Sequence, residues 1–208
     1  MLSVTYATRR IGAQPLFTAL TFTVERGECA AVVGPNGVGK SSLLRIIVDD
    51  DHLDEGTVLI DGRTPNDRSQ GFRAIVAAEL GDQAVFYDST VREHLDLLCA
   101  SHGVRPNVDA ALIDAGIGDL ADRFPHTLST GQRQRFALVA TLIRPSGLIV
   151  LDEPERGLDV DGQTWVAQAV AAATARGAAV VMATHSLEFA DRADVLVDLG
   201  WPPAESRG

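Results

Sequence analysis

The sequence predicts an α/β protein with a mostly parallel sheet, an N-terminal antiparallel β region and an inserted α-helical segment. Three observations predict this class. β-Favouring runs dominate residues 1–60, helical periodicity without strand signals fills residues 91–140, and apolar strands flank a helix after residue 148. At 208 residues and 46% hydrophobic, the chain is long enough for one domain with a substantial core.

The first elements are mainly strands, because β-favouring residues cluster there in short runs. The strands are predicted at residues 2–6, 18–24, 29–33 and 57–60. Between the last two, residues 42–48 space their apolar side chains as a helix does. The N-terminal part is therefore expected to be rich in strands, with one early helix.

The remaining elements are a group of helices followed by alternating strands and helix. Helices are predicted at residues 91–98, from residue 110 and at 132–143; strands at 148–151, 178–183 and 195–197; and an alanine-rich helix at 163–176. We divide the single domain into a core, residues 1–82 and 146–208, and a helical subdomain, residues 83–145. Residues 201–208 are expected to be a frayed tail.

Composition excludes several classes of protein. The net charge of −10 opposes general binding to nucleic acid, which is a polyanion. No apolar run approaches the ~20 residues that span a bilayer, and the N-terminus lacks the apolar segment of a signal peptide. A membrane role would therefore require separate partner chains. Cys29 and Cys99 are expected to be reduced core residues of a cytosolic protein.

One glycine-rich loop predicts a phosphate site. It follows a β-favouring run, precedes the early helix and matches the Walker A spacing. Its residues are Gly34, Pro35, Asn36, Gly37, Val38, Gly39, Lys40 and Ser41, followed by Ser42. Lys40 is the only lysine among 18 basic residues. A backbone wrap leaves room for a compact ammonium but not for a planar guanidinium, so Lys40 is expected to contact phosphate and Ser41 to bind Mg²⁺.

A second site element is the pair of carboxylates that ends the strand at residues 148–151. Asp152 is expected to hold Mg²⁺ through water, and Glu153 to orient or deprotonate a water that attacks the γ-phosphate. This is the Walker B pattern with a catalytic base.

Two further segments carry a family resemblance. Residues 128–132, Leu-Ser-Thr-Gly-Gln, resemble the signature motif of ATP-binding cassette (ABC) ATPases. Residues 153–159 resemble the D-loop of that family, and His185 resembles its switch histidine. Alone, Ser129 is equally interpretable as a helix N-cap and His185 as a structural histidine. Four motifs in this order make the resemblance extend over nearly the whole chain.

The resemblance implies a P-loop NTPase with a RecA-like core, in which two cassettes sandwich ATP and Mg²⁺ head to tail. Each site would use the Walker residues, Glu153 and His185 of one subunit with Ser129 and Gly131 of the other, and Asp159 would lie near the dimer contact. The second subunit would be a second copy or a related chain. Transmembrane permease subunits would hold the pair on the cytoplasmic face of the cell membrane.

The sequence departs from the family pattern at three places. Ile11 occupies the position of the aromatic residue that stacks on adenine, and Thr130 replaces the first signature glycine. The glutamine that senses the γ-phosphate has no clear counterpart, and Gln83 is the candidate. The resemblance favours the ATPase subunit of an ABC transporter. A soluble single-cassette remodelling ATPase and a P-loop kinase remain alternatives, and the signature motif argues against the kinase.

Overall fold

The computed structural model describes residues 1–81 and 88–200, so the expectations for Gln83 and for the 201–208 tail lie outside the described residues. The described chain forms two β-sheets. The strands are β1 (Leu2–Ile11), β2 (Gln14–Val24), β3 (Cys29–Val33), β4 (Glu55–Ile60), β5 (Val76–Glu79), β6 (Leu148–Asp152), β7 (Ala179–Ala183) and β8 (Val195–Asp198).

Seven α-helices connect these strands in the described residues. They are α1 (Lys40–Ile47), α2 (Gln70–Ile75), α3 (Val91–Ser101), α4 (Val108–Asp114), α5 (Thr130–Leu142), α6 (Val160–Ala175) and α7 (Leu187–Asp191). Three of them, α3 to α5, follow one another between β5 and β6. They fall within the predicted helical subdomain, whose boundaries at residues 83 and 145 stay a prediction.

The smaller sheet is antiparallel, with strand order β2-β1-β4. Both pairings of β1 shift register near Tyr6, after Val4 in the pairing with β2 and after Thr5 in the pairing with β4, and Tyr6 has a φ of 50°. Gly56 of β4 passes this irregularity so closely that a Cβ there would lie 2.4 Å from the Tyr6 carbonyl oxygen. The sheet can therefore form here only with glycine at position 56.

The larger sheet is parallel throughout, with strand order β5-β6-β7-β3-β8. Because its strands run in one direction, their carboxyl ends meet at one edge. Strand β6 ends there at Asp152, and the segments that follow β3 and β7 leave from that edge and lead to Lys40 and His185 respectively. The sheet thus positions all three chemical motifs on one side of the protein.

Two apolar cores cover the opposite faces of this sheet. Alternate residues of β6 point to each side, as the two-residue period of a strand requires. Ile149 and Leu151 join a core with helices α3 to α6, whereas Leu148 and Val150 join a core with α1 and the antiparallel sheet. Cys29 and Cys99 are both buried. Helices α3 to α6 therefore pack on one face of the central sheet, and α1 with the antiparallel sheet packs on the other.

The predicted fold class is confirmed, although several elements differ from the sequence-based bounds. β1 and β2 extend well beyond residues 2–6 and 18–24, because they form a long hairpin through Ile11 and Gln14. The short elements α2, β5 and α7 were not predicted. Among the described residues, no helix combines the length and apolar character needed to cross a membrane.

Candidate functional site

The predicted phosphate loop joins the end of β3 to the start of α1. Gly39 caps this helix without a side-chain hydrogen bond, so no side chain occupies the first backbone N–H groups. Gly39 has a φ of 112°, and a Cβ there would lie 2.9 Å from Cβ of Leu16. Glycine is thus required at this position, and the helix presents a terminus suited to binding an anion.

Lys40 is held inside the loop by the loop's own backbone. Its Nζ donates hydrogen bonds to the carbonyl oxygens of Gly34, at 2.8 Å, and Pro35, at 3.1 Å. The residue is only 6% exposed. The remaining residues predicted here, which complete the loop and the first turn of α1, are Asn36, Gly37, Val38, Ser41 and Ser42. The structure therefore fixes one positive charge at the N-terminus of α1.

Asp152 lies at the carboxyl end of β6 and is linked to the first turn of α1 by a hydrogen bond from Ser41. Burial raises the pKa of its carboxyl group, and the charge of Glu153 raises it further, against the opposing effects of the Ser41 hydrogen bond and of Lys40. Its Oδ1 atom is buried without a hydrogen-bond partner among the described residues. A divalent cation beside Ser41 would satisfy this oxygen, so the donor set fits Mg²⁺.

Glu153 adopts an unusual backbone conformation, with a φ of 48°. For a residue other than glycine this conformation costs roughly 1–3 kcal/mol. Two backbone hydrogen bonds hold it there: its N–H donates to the Ala183 carbonyl at 2.9 Å, and its carbonyl accepts from the Arg156 N–H at 2.9 Å. The surrounding backbone therefore fixes the position of the Glu153 Cα atom, from which the side chain extends.

His185 lies directly beyond β7, and the structure brings it to Glu153. The distance between Nε2 of His185 and Oε1 of Glu153 is 3.1 Å. Both side chains remain partly accessible, with 43% of the histidine and 30% of the glutamate side chain exposed. A carboxylate that is oriented by an imidazole and open to solvent is suited to aligning a water molecule and accepting its proton.

The predicted signature residues lie at the N-terminus of α5. Ser129 is the N-cap: its Oγ accepts from the Gln132 N–H at 3.3 Å, while the Gln132 side chain accepts from the Ser129 N–H at 3.0 Å. Ser129 and Thr130 are exposed. The structural N-cap interpretation thus describes Ser129 correctly, and it leaves the hydroxyl and the helix terminus facing solvent.

Gly131 brings this helix against the loop that follows β6. A Cβ on Gly131 would lie 2.8 Å from the carbonyl oxygen of Gly157, which is too close for any other residue. The side chain of Thr130, beside it, is exposed and therefore needs no space inside the protein. The threonine at the first glycine position of the signature is therefore compatible with the local packing.

Asp159 is the N-cap of α6 and accepts a hydrogen bond from the Gly162 N–H at 2.9 Å. It also forms an ion pair with Arg135 of α5, whose other terminal nitrogen donates to the Ala115 carbonyl at 2.7 Å. The Gly162 hydrogen bond and then Arg135 lower the pKa of the Asp159 carboxyl group. Its side chain is 72% exposed, and its predicted role in a dimer contact stays a prediction.

Other predicted site residues lie apart from this group. Ile11 ends β1 with 65% of its surface exposed and is followed by a turn at Gly12. Lys40, Ser41, Asp152, Glu153 and His185 are called the Lys40 group below. In the described part of the chain, no hydrogen bond or ion pair links Ser129 or Gly131 to this group. The structure therefore gathers Lys40, Ser41, Asp152, Glu153 and His185, and places the signature residues elsewhere.

Sequence reasoning missed two residues that organise the site. Arg135 links α5 to Asp159, and Glu155 accepts hydrogen bonds from Thr184 and from the His185 backbone. Both contacts join residues at least 24 positions apart, so no local pattern announces them. The only signal was the presence of charged residues inside otherwise recognised motifs.

Comparison with known proteins gives consistent results. The ABC transporter family matches residues 17–156. A cytochrome c biogenesis ATP-binding export protein CcmA from Xanthomonas campestris pv. campestris (strain 8004) is 38% identical over 175 residues, which are 83% of this chain and 80% of that protein.

Two solved structures show the same fold. An ATP-binding subunit of an ABC transporter has a TM-score of 0.85 at 26% identity and covers 95% of this chain and 85% of its own. A dimeric bacterial ABC transporter cassette has a TM-score of 0.80 at 24% identity, covering 96% and 94%. With the family match and the phosphate loop in agreement, the chain belongs to the ABC transporter family of ATP-binding proteins.

Proposed function

We propose that this protein hydrolyses ATP with Mg²⁺ as one of two paired cassettes and thereby powers separate transmembrane subunits. The observation that carries the proposal is the 3.1 Å contact between Glu153 and His185, at the sheet edge that also holds Lys40 and Asp152. A phosphate-binding charge, a carboxylate suited to Mg²⁺ and an oriented base are the groups that hydrolysis of a phosphoanhydride requires.

Each group of this chain has a distinct task in the proposed reaction. Lys40 and the N-terminus of α1 bind the phosphates and offset their charge. Ser41 and Asp152 hold Mg²⁺, which supplies further charge stabilisation at the phosphates. Glu153 orients the attacking water and receives its proton, while His185 holds the Glu153 carboxylate in position.

The proposal of a second cassette rests on the signature residues. Ser129 and Thr130 are exposed at the start of a 13-residue helix, yet within the described residues no hydrogen bond or ion pair links them to the Lys40 group. A helix N-terminus binds anions well, so α5 can bind the γ-phosphate of a nucleotide held by another copy. The resemblance to a dimeric cassette is consistent with this pairing.

The proposal of a membrane partner rests on sequence similarity to a named export protein. The Xanthomonas relative is named an ATP-binding export protein, and this chain covers 80% of it. No helix of the described residues is suited to cross a membrane, so transport would need separate transmembrane subunits. We therefore place the protein at the cytoplasmic face of a membrane, attached to an exporting permease.

Gel filtration of the Glu153→Gln variant tests the paired site. The amide removes the base and lets ATP remain bound, so ATP and Mg²⁺ should convert monomer to dimer, and ADP should not. Glu25→Gln is the matched control, because its side chain is 69% exposed and its one ion pair among the described residues is with the N-terminus. A Glu153→Gln protein that binds ATP and stays monomeric would refute the pairing.

Co-purification tests the membrane partner independently. A tagged copy expressed in its native cell should retain a multispanning membrane protein after detergent extraction, and vesicles containing both should show stimulated ATP hydrolysis. An active, ATP-dimerising protein that retains only soluble chains would overturn the transport assignment and leave the ATPase assignment intact.

A further inference from the structure

Glu155, two residues after Glu153, binds the end of β7 through a single oxygen. Its Oε1 accepts one hydrogen bond from Oγ1 of Thr184, at 2.5 Å, and another from the backbone N–H of His185, at 3.1 Å. A hydrogen bond to a carboxylate is stronger than one between neutral groups. One side chain thus fixes both residues that leave the strand.

The hydrogen-bond chain continues through the buried threonine. Thr184 is 1% exposed, and its hydroxyl, while donating to Glu155, accepts from the Ser186 N–H at 3.0 Å. Its own N–H donates to the Val32 carbonyl of β3 at 3.2 Å. The segment 184–186 is therefore attached to the sheet on one side and to Glu155 on the other.

His185 is consequently held at two points by one loop. Glu155 binds its backbone, and Glu153 contacts its imidazole at 3.1 Å. Both glutamates belong to the segment between β6 and α6, and Gly157 of that segment packs against position 131 of the signature helix. A shift of this segment would move Glu155, which binds the His185 backbone, together with Glu153, which contacts the His185 imidazole ring.

We propose that Glu155 is a positioning residue, which holds the His185 backbone so that the imidazole reaches Glu153 and which makes His185 follow the segment 153–159. The proposal rests on the proposed ATPase function for its catalytic consequence. Its geometric part stands independently, because it is argued only from the hydrogen bonds that Thr184 and His185 donate to Glu155.

Hydrogen exchange of the His185 amide tests the geometric part without any activity. In the wild-type protein and in Glu155→Gln, which keeps an acceptor oxygen, this amide should be protected. In Glu155→Ala it should exchange faster, while amides in the centre of β7 keep their protection. Equal protection of the His185 amide in all three proteins would overturn the proposal.

Steady-state kinetics tests the catalytic part. Misplacing a catalytic group by about 1 Å can cost about 100-fold in rate, so Glu155→Ala should lower kcat by about 10- to 100-fold without changing KM for ATP. Glu155→Gln should stay close to wild type. The control is Glu188→Ala, because that glutamate also follows β7, and its one ion pair in the part of the chain that the structure describes is a surface pair with Arg192.

A double-mutant cycle separates positioning from a general structural effect. If Glu155 acts through His185, adding Glu155→Ala to His185→Ala should cause no further loss of kcat. Additive losses, or a lower melting temperature with unchanged kcat, would show that Glu155 is structural only. Absence of hydrolysis in the wild-type protein would instead refute the proposed function and leave the exchange result to be judged alone.

Discussion

The Lys40 group and the signature end of α5 differ in how firmly the chain itself holds them. Lys40 is bound by two carbonyl oxygens, Asp152 by Ser41, and Glu153 by His185. At the signature end, Ser129 and Thr130 face solvent beside one local capping box, and Gly131 lies against Gly157. The groups assigned to chemistry are therefore assembled in a single copy, whereas the groups assigned to a second nucleotide are displayed outward.

This difference suggests a division of labour. Pre-assembled groups lose little freedom when nucleotide binds, so they are suited to stabilising charge in the reaction. An exposed helix terminus contributes only when another surface reaches it, which makes activity depend on pairing. Within one chain, α5 meets the segment that follows β6 where Gly131 lies against Gly157 and where Arg135 pairs with Asp159.

The largest expected effect comes from a substitution in the Lys40 group. Glu153→Gln should lower kcat by about 10²- to 10⁴-fold, because the amide cannot accept a proton from water. ATP affinity should be retained. Steady-state hydrolysis of radiolabelled ATP measures kcat, and filter binding measures the affinity for ATP. Hydrolysis at the wild-type rate would remove Glu153 from the mechanism.

A smaller loss is expected from Lys40→Arg. The buried ammonium fits between two carbonyl oxygens, and a broad guanidinium does not. Loss of one hydrogen bond to a charged group costs about 1.5–3 kcal/mol, or roughly 10- to 100-fold in the Kd for ATP. Fluorescent-nucleotide titration measures this, with exposed Arg176→Lys as the control. Unchanged affinity would show that the single lysine reflects composition alone.

The substitution Gly131→Ala tests the signature end of α5. The new Cβ would lie 2.8 Å from the Gly157 carbonyl oxygen and must push the signature helix away from the segment after β6. We expect a loss of about 1–3 kcal/mol in unfolding free energy, measured by urea denaturation, and weaker ATP-dependent pairing. Thr130→Gly, at the exposed neighbouring position, should leave pairing intact. An equal effect at both positions would contradict the assigned contact.

The smallest effect concerns stability without nucleotide. Because burial raises the pKa of Asp152, the folded protein binds its proton more tightly than the unfolded chain does. The contribution of Asp152 to the free energy of unfolding is therefore greatest below the ordinary aspartate pKa, and it falls as pH rises through the pKa of Asp152 in the folded protein. Asp152→Asn should raise the melting temperature at neutral pH but not at acidic pH. Exposed Asp198→Asn is the control, and a lower neutral-pH melting temperature for Asp152→Asn would contradict the prediction.

Motif spacing predicted the elements around the phosphate loop well, because glycine positions and apolar periodicity are local signals. The family resemblance, and not motif spacing, assigned Glu153 and His185 to one site, and the structure brings them to 3.1 Å. The short strand β5 escaped prediction because its four residues, Val76–Glu79, include two alanines and an acid. Helix α2 buries no residue fully and so has no clear apolar face.

The contacts of Glu155 and Arg135 were beyond sequence reasoning for a different reason. Each depends on how distant elements pack, and a glutamate two residues after the proposed catalytic Glu153 resembles any loop residue. The structure reveals Glu155 because one oxygen accepts two hydrogen bonds from the end of β7. The roles of Ile11 and Asp159 stay predictions, since their side chains are largely exposed.

Subunit complementation tests the central claim, that one ATP site is built from two copies, most directly. A Lys40→Ala chain keeps an intact signature, and a Ser129→Arg chain keeps an intact Lys40 group, so each should be inactive alone. Mixed, they form pairs in which one of the two sites is whole, and ATP hydrolysis should return. A mixture that stays inactive although the two chains pair, or a Ser129→Arg chain with full activity alone, would contradict the account.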